Sequence, residues 1–259
     1  PAPRPAPGPP AAAAAPAALP AERRLRVLGL HGGGSNQVAM QFQVAPLRLY
    51  LDKALGAGRV EWEFLNGRRP WQSEADPMTK AISSGEPLWG WYDVEVEEEG
   101  GPSGRPYLEK LFDTSVTFTY GEVEAGVDHV LDAVRTRGPF DVLVAFSQGC
   151  IVSHLVAALL RRRGEAVPWR LSVQVCGMRV RDARFRAWFE TPLAVPCVQL
   201  YGLQDAMYAY GRQSQPQMYE DPVILEFDEG HRFPSKDPKK TEIHARILEE
   251  ILKHCGSGD

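Results

Sequence analysis

Short apolar runs along the chain alternate with stretches in which apolar residues recur every three or four positions. The runs predict six strands, at residues 25–30, 60–65, 141–146, 171–176, 196–201 and 223–227. The longer stretches predict amphipathic helices at residues 121–137, 148–163 and 238–254, and a further helix after Asn36 that Pro46 interrupts or restarts. Strands that alternate with helices predict an α/β fold, with a mostly parallel sheet covered by helices on both faces.

An aromatic-rich span at residues 66–119 interrupts this alternation. It has no clear period, yet it contains Trp71, Trp89 and Trp91. A structureless loop of that length is unusual in a compact domain. The span therefore predicts either an inserted lid or substrate wall, or short elements that periodicity does not resolve. The acidic run at residues 95–99 is interpreted as a solvated loop.

The two ends of the chain differ in composition from the rest. Residues 1–20 contain eight prolines and nine alanines. Proline interrupts both helices and sheets, so a disordered linker is predicted over residues 1–22. We expect one folded domain over residues 23–254 and a loose tail over residues 255–259.

Composition narrows the classes of function. The formal net charge of −4 argues against nucleic-acid binding, which calls for a clustered basic surface. No apolar run approaches the roughly 18 residues of a membrane span, so we expect no integral membrane association. The four cysteines show neither CxxC nor zinc-ligand spacing. We therefore expect no metal site, no disulfide framework and a reducing compartment.

A candidate nucleophile follows the third predicted strand, in the segment Ala145-Phe146-Ser147-Gln148-Gly149. An apolar strand precedes the serine and an amphipathic helix follows it, as in a nucleophile elbow. Gly149 supplies the small residue that the tight turn needs, whereas Ala145 stands where glycine is usual. A serine that only caps a helix would look the same locally, so residues further along the chain must decide.

A serine hydroxyl needs a general base and a carboxylate that orients this base. Of the six histidines, His231 alone lies in a loop just after a late strand. Asp205 follows the preceding strand, and the order Ser147, Asp205, His231 is that of α/β-hydrolases. Asp221 and Asp228 remain alternatives for the carboxylate.

Backbone N–H groups must stabilise the charge that develops on a substrate carbonyl oxygen. Gln148 offers one at the start of its helix, and the glycine run after His31 offers another, for which we favour Gly33. The aromatic span leaves the sheet at the edge that carries the serine. Trp89 and Trp91 are therefore predicted to contact the acyl or aryl part of a substrate.

With these motifs the chain resembles the FSH family of serine hydrolases from about residue 26 to residue 252. The resemblance rests on Leu-His-Gly at 30–32, Gly-Pro-Phe-Asp at 138–141, Phe-Ser-Gln-Gly at 146–149, Gly-x-x-Asp at 202–205 and Gly-His-x-x-Pro at 230–234. It implies the α/β-hydrolase fold and a triad of Ser147, Asp205 and His231. It also implies hydrolysis of small-molecule carboxylic esters or thioesters through an acyl-enzyme. No metal or organic cofactor is implied, and the location implied is the cytoplasm, extending to the nucleus.

Two other functions are compatible with the same residues. Acyl-protein thioesterases and related carboxylesterases also carry Phe-Ser-Gln-Gly after a strand, although the aromatic span and the Gly-Pro-Phe-Asp segment fit the FSH pattern better. A hydrolase fold without activity could serve as an interaction module. The presence of all three triad residue types argues against that second alternative.

Overall fold

Ten strands and eight α-helices alternate along the described residues, which are 19–20, 22–235, 237 and 241–256 in a computed structural model of the chain. The strands are Leu25–Leu30 (β1), Val60–Leu65 (β2), Arg69–Pro70 (β3), Trp89–Gly90 (β4), Asp93–Glu97 (β5), Thr117–Gly121 (β6), Val142–Phe146 (β7), Leu171–Val175 (β8), Cys197–Gly202 (β9) and Val223–Phe227 (β10). The α-helices are Gln37–Gln43 (α1), Ala45–Leu55 (α2), Pro77–Ile82 (α3), Tyr107–Phe112 (α4), Val123–Thr136 (α5), Gln148–Arg162 (α6), Tyr208–Ser214 (α7) and Thr241–Cys255 (α8). Two 3₁₀ helices span Ala183–Phe189 and Pro216–Met218.

Six of these strands form one central sheet, in the order β10-β9-β8-β7-β1-β2, and every neighbouring pair is parallel. Side chains of β7 alternate between two cores, with Leu143 and Ala145 in one and Val142, Val144 and Phe146 in the other. Because both faces are covered, β7 is apolar at every position. The predicted α/β architecture is therefore confirmed.

Helices cover the sheet on both sides. The core on one side includes Val130 of α5 and Leu155 of α6, and the core on the other includes Leu51 of α2 and Ile247 of α8. The six predicted strands and the predicted helices are all present, with small shifts at their ends, and residues 238–240 of the last predicted helix lie outside the described residues. In the part of the chain that the structure describes, no helix combines the length and the apolar character needed to cross a bilayer.

The helical stretch after Asn36 is divided as the sequence predicts. The Asn36 side chain accepts a hydrogen bond from the Ala39 N–H at 2.8 Å and so caps α1. Val44 separates α1 from α2, and Pro46 lies in the first turn of α2. Proline is tolerated there because the first N–H groups of a helix have no intrahelical partner.

The aromatic span holds short elements that periodicity does not resolve. β3 pairs with β4 and β5 pairs with β6, each antiparallel, while α3 and α4 have six residues each. The predicted acidic loop is in part a strand, because residues 95–97 belong to β5, but Glu95, Glu97 and Glu99 are exposed as predicted. The Glu98 carboxylate is instead buried, where it pairs with Lys110 at 2.8 Å and with Arg105 at 2.9 Å.

Both ends of the domain extend further than the sequence predicts. Leu19 packs on the core, and the Pro20 carbonyl accepts a hydrogen bond from Arg59 at 2.6 Å. Contact with the domain therefore begins within the predicted linker. At the other end, α8 includes Cys255, which is fully buried rather than part of a loose tail. The remainder of those two predictions, at residues 1–18, 21 and 257–259, lies outside the described residues.

Candidate active site

Ser147 lies in the turn between β7 and α6. Its φ of 49° and ψ of −114° form a conformation that residues with a side chain rarely adopt. Hydrogen bonds on both sides hold this turn, because the Ser147 N–H donates to the Val175 carbonyl at 2.9 Å and the Ser147 carbonyl accepts from the Cys150 N–H at 3.0 Å. The turn is the strained strand–helix connection of a nucleophile elbow, at the carboxyl end of the sheet.

The elbow needs glycine at position 149 but not at position 145. A Cβ on Gly149 would lie 2.7 Å from the carbonyl oxygens of Leu30 and His31, and neither of these backbone atoms can rotate away. Ala145 instead lies within β7, where its methyl group is fully buried and belongs to the core. The close approach of α6 to the end of β1 therefore depends on Gly149.

Three side chains meet at the carboxyl ends of β7, β9 and β10. The Nε2 atom of His231 lies 2.9 Å from Ser147 Oγ, and its Nδ1 atom lies 2.6 Å from Asp205 Oδ2. An ionised carboxylate only accepts hydrogen bonds, so Nδ1 carries the proton and Nε2 presents a lone pair to the serine hydroxyl. The structure thus brings together the three predicted residues in the geometry of a catalytic triad.

Asp205 is buried but well supported as an anion. Its Oδ1 atom accepts a hydrogen bond from the Met207 N–H at 2.8 Å, while Oδ2 accepts from His231. Burial opposes the charge, but His231, the Met207 N–H and the thiol of Cys176 outweigh it and hold the pKa of Asp205 below its ordinary value. A carboxylate that stays ionised can fix the tautomer of His231 and stabilise its protonated form.

The two alternative carboxylates lie elsewhere. Asp228 is exposed and accepts a hydrogen bond from the Gln204 side chain at 2.9 Å. Asp221 is exposed just before β10, whereas His231 follows the other end of that strand. The geometry therefore pairs His231 with Asp205.

Gly202 allows the loops after β9 and β10 to approach each other. A Cβ on Gly202 would lie 2.5 Å from the Glu229 carbonyl oxygen and closer still to that of Gly230. The two loops are also joined by a hydrogen bond from the Gln204 N–H to the Glu229 carbonyl at 2.9 Å. This close backbone contact sets the spacing between the acid and the base.

His31 organises the glycine-rich loop after β1. Its buried ring accepts a hydrogen bond from the Gly67 N–H at Nε2, 2.9 Å away, so that Nδ1 carries the proton and donates to the Gly32 carbonyl at 2.6 Å. Burial lowers the pKa of His31 to about 4, which keeps the ring neutral near pH 7. The His31 carbonyl accepts from the indole N–H of Trp91 at 2.7 Å. His31 therefore ties this loop to the aromatic span.

The two predicted oxyanion donors are neighbours at the elbow. A Cβ on Gly32 would lie 3.3 Å from Ser147 Cβ, and one on Gly33 would lie 3.2 Å from the Gln148 side chain. Gln148 is the first residue of α6, where helix N–H groups have no intrahelical partner. The glycine loop and the start of α6 thus flank Ser147.

The side chain of Gln148 has a structural role that the sequence analysis missed. Its Oε1 atom accepts from the Trp91 N–H at 2.8 Å, and its Nε2 atom donates to the Tyr92 carbonyl at 2.8 Å. Together these bonds satisfy two backbone groups of the aromatic span. They tie that span directly to the elbow.

The two tryptophans predicted to contact substrate differ in their placement. Trp91 is fully buried, and its indole N–H donates to the backbone carbonyl of His31. The prediction that Trp91 contacts substrate is therefore wrong. Trp89 lines a surface hollow with Phe64 beside β2, and no triad residue borders that hollow. Trp71 instead covers the glycine loop, with ring atoms 2.8–3.2 Å from the position of a Cβ on Gly34.

Cys176 is a residue at the triad that the sequence analysis did not single out. It follows β8 with a φ of 50°, and its sulfur lies within 4.8 Å of ligand atoms of Asp205 and His231. Burial and the adjacent Asp205 charge raise the pKa of the Cys176 thiol to about 12, so it remains a weak hydrogen-bond donor. These three groups could in principle ligate a metal ion, but the carboxylate and imidazole already bond each other and the serine. A triad fits this set better.

Comparison with known proteins identifies the family. The family model described as "Serine hydrolase (FSH1)" matches residues 21–243. The chain belongs to the FSH1 serine hydrolase family. This confirms the predicted family and the prediction that the protein is a serine hydrolase, and it favours the FSH family over the acyl-protein thioesterases.

Individual relatives match most of this chain. Esterase OVCA2 of Xenopus tropicalis is 25% identical over 233 residues, which cover 89% of this chain and 95% of that protein. Esterase OVCA2 of Homo sapiens is 26% identical over 241 residues, which cover 90% and 99%. Among solved structures, esterase PE8 aligns with a TM-score of 0.55 at 16% identity and covers 91% of this chain and 96% of its own. That likeness shows a shared α/β-hydrolase fold.

Proposed function

We propose that this chain is an esterase that cleaves carboxylic esters or thioesters of small molecules through an acyl-enzyme on Ser147. The main support is the continuous hydrogen-bond chain from Ser147 through His231 to Asp205, with lengths of 2.9 and 2.6 Å. The relatives named as esterases support the same class of reaction.

The proposed reaction has two halves. In the first, His231 Nε2 takes the proton of Ser147 as the hydroxyl oxygen attacks the substrate carbonyl carbon, and Asp205 stabilises the imidazolium. His231 then protonates the departing alcohol or thiol, which leaves the acyl group on Ser147. In the second half, His231 activates a water molecule that attacks the acyl-enzyme, and release of the carboxylic acid restores the serine.

We assign the oxyanion hole to the backbone N–H groups of Gln148 and Gly33. Gln148 stands at the start of α6, where the helix dipole favours negative charge. The loop of Gly33 is held by the hydrogen bond from the His31 side chain to the Gly32 carbonyl, and the Trp71 ring packs over it. Rigid donors of this kind stabilise the tetrahedral intermediate without having to reorganise during the reaction.

We assign the acyl-binding wall to Trp71 in place of Trp89 and Trp91. Trp71 is the tryptophan that packs over the glycine loop beside Gln148. Binding energy should rise by about 0.8 kcal/mol, or about fourfold in kcat/KM, for each buried CH₂ group of the acyl chain. Trp71→Ala should flatten this rise, whereas Trp89→Ala should leave it unchanged. Equal slopes for both variants and the wild type would place the acyl pocket elsewhere.

A fluorophosphonate probe tests the proposed nucleophile, because it reacts covalently with an activated serine. We expect the wild type to be labelled at Ser147 and to hydrolyse p-nitrophenyl butyrate. Ser147→Ala should lose both activities and keep its fold, as followed by thermal unfolding. Ser153→Ala removes a hydroxyl from the same helix and serves as the control, with both activities retained.

The outcomes separate the alternatives. A folded wild type that neither reacts with the probe nor hydrolyses any ester would be an interaction module with a hydrolase fold. Labelling at a different serine would reassign the nucleophile. A panel of p-nitrophenyl esters and acyl-CoA thioesters of graded length then distinguishes an esterase from a thioesterase.

The proposed location is the cytoplasm, extending to the nucleus as the family resemblance implies. All four cysteines are free and buried, which suits a reducing compartment. Imaging of a fluorescent fusion tests this assignment, and accumulation within a secretory compartment would overturn it.

A further inference from the structure

A cleft of about 620 Å³ lies between the segment after β8 and the helices α4 and α7. Three arginines line it, Arg179, Arg181 and Arg186, beside the apolar rings of Phe112 and Tyr210. The proposed catalytic steps use none of these residues. A cleft with three guanidinium groups is notable in a chain whose formal net charge is −4.

These arginines have no carboxylate partner among the described residues, whereas their neighbour Arg184 does. Arg184 bonds Asp182 at 2.6 Å and Glu124 at 3.0 Å. Asp182 is the only acidic residue that lines the cleft in the described part of the chain, and its charge is thereby already compensated. The cleft consequently carries uncompensated positive charge.

Arg181 is held in place without being neutralised. Its Nη2 atom donates to the carbonyls of Asp113 at 2.8 Å and Val116 at 3.1 Å, and its guanidinium carbon lies 4.7 Å from the centre of the Phe118 ring. The Nε atom of Arg181 is buried with no acceptor within the described ranges. A positioned guanidinium that lacks a counter-charge is well suited to bind an anionic group.

The segment after β8 connects the catalytic site with the cleft. Cys176, whose sulfur is within 4.8 Å of ligand atoms of Asp205 and His231, precedes Arg179 by three residues, a distance of at most about 11 Å between Cα atoms. The Arg179 N–H in turn donates to Ser214 Oγ of α7 at 3.3 Å. No triad residue lines the cleft itself, so a substrate that uses both sites must extend from Ser147 along the segment that joins them.

We propose that the arginine cleft binds an anionic group, a carboxylate or a phosphate, on the ester or thioester that the enzyme cleaves. This inference rests on the proposed function and names the class of its substrate. Arg179 and Arg181 hold the charged oxygens at the inner part of the cleft, and the exposed Arg186 adds charge at its rim. The rings of Phe112 and Tyr210 flank the carbon chain of the ligand.

Four matched substrates test the proposal. Mono-p-nitrophenyl glutarate carries a carboxylate on the acyl side, and p-nitrophenyl butyrate is its neutral counterpart. Butyryl-CoA carries phosphates on the leaving group, and S-butyryl-N-acetylcysteamine is its neutral counterpart. We expect Arg179→Gln/Arg186→Gln to lower kcat/KM by roughly tenfold to 100-fold for one anionic substrate, mainly through KM, with both neutral substrates unaffected. The substrate that loses activity identifies the source of the anion.

The control is Arg162→Gln/Arg163→Gln, which removes the same charge from exposed positions at the end of α6. The proposal is overturned if kcat/KM for the anionic substrate falls equally in this control. It is also overturned if the cleft variant keeps its kcat/KM for both anionic substrates, even when the neutral esters are still hydrolysed. If no substrate is turned over, the proposed function fails separately. Calorimetry then measures the binding of coenzyme A and of glutarate to Ser147→Ala, with and without the two cleft substitutions. Tenfold weaker binding of either ligand in the cleft variant supports the proposal, and unchanged or absent binding of both ligands overturns it.

Discussion

Replacing Gly202 by alanine should separate the acid from the base without altering either side chain. The new Cβ would lie 2.5 Å from the Glu229 carbonyl oxygen and nearer still to that of Gly230. An unstrained carbon–oxygen contact is about 3.3 Å long, so the Glu229 carbonyl oxygen, and with it the loop after β10, must move by at least roughly 0.8 Å. Both obstacles are backbone atoms, so neither can be relieved by a rotamer change. The hydrogen bond of 2.6 Å between Asp205 and His231 spans this gap.

The expected loss follows from that displacement. A misplacement of about 1 Å in a catalytic group can cost on the order of 100-fold in rate. Overpacking at a buried contact costs about 1–3 kcal/mol of stability, which a domain of this size should tolerate. We therefore expect a folded Gly202→Ala protein with kcat lowered about 100-fold and KM little changed.

Gly230→Ala is the matched control, because it adds the same methyl group to the facing loop. Its Cβ would meet only the Gln204 carbonyl oxygen, at 3.9 Å, which is an ordinary contact. Steady-state hydrolysis of p-nitrophenyl butyrate gives kcat and KM, and circular dichroism on heating reports the fold. The reasoning is refuted if Gly202→Ala keeps kcat within twofold of the wild type, or if Gly230→Ala loses as much.

Three further predictions concern charge and burial. Asp205→Asn should lower kcat by about 10⁴-fold, by analogy with the same change in a serine protease, because the amide favours the wrong imidazole tautomer. Asp228→Asn should lower kcat only slightly, and the reverse result in esterase assays would assign the role of the carboxylate to Asp228. Burial lowers the pKa of His31 to about 4 and that of His154 to about 3, so below pH 6.5 the unfolded chain binds more protons than the folded chain. The free energy of unfolding should therefore fall between pH 6.5 and pH 4, by about 3 kcal/mol for His31 alone. Equal urea midpoints at pH 7.5 and pH 4.5 would contradict this prediction. Cys176 should resist iodoacetamide at pH 8 in the native protein, since burial raises the pKa of its thiol to about 12, and rapid alkylation seen by mass spectrometry would show that it is accessible.

The sequence by itself determined the central sheet, its covering helices and the position of the candidate nucleophile. Strands buried on both faces must be apolar at nearly every position, and helices with one covered face show their own period, so each segment carries its signal locally. The elbow is equally local, because Ser147 is flanked by a strand, a helix and the small Gly149. Each of these features depends on residues that are neighbours along the chain.

Tertiary structure alone decided which distant residues meet. Parallel pairing of β9 with β10 brings Asp205 to His231 and leaves Asp228 bonded to Gln204. Packing of the aromatic span against the end of β1 buries Trp91. In that span β3 and β4 have only two residues each, too few to show a period, and the arginine cleft joins segments from three separate loops and helices. Such contacts arise from the order of the strands and the close approach of their loops, which no local pattern of residues encodes.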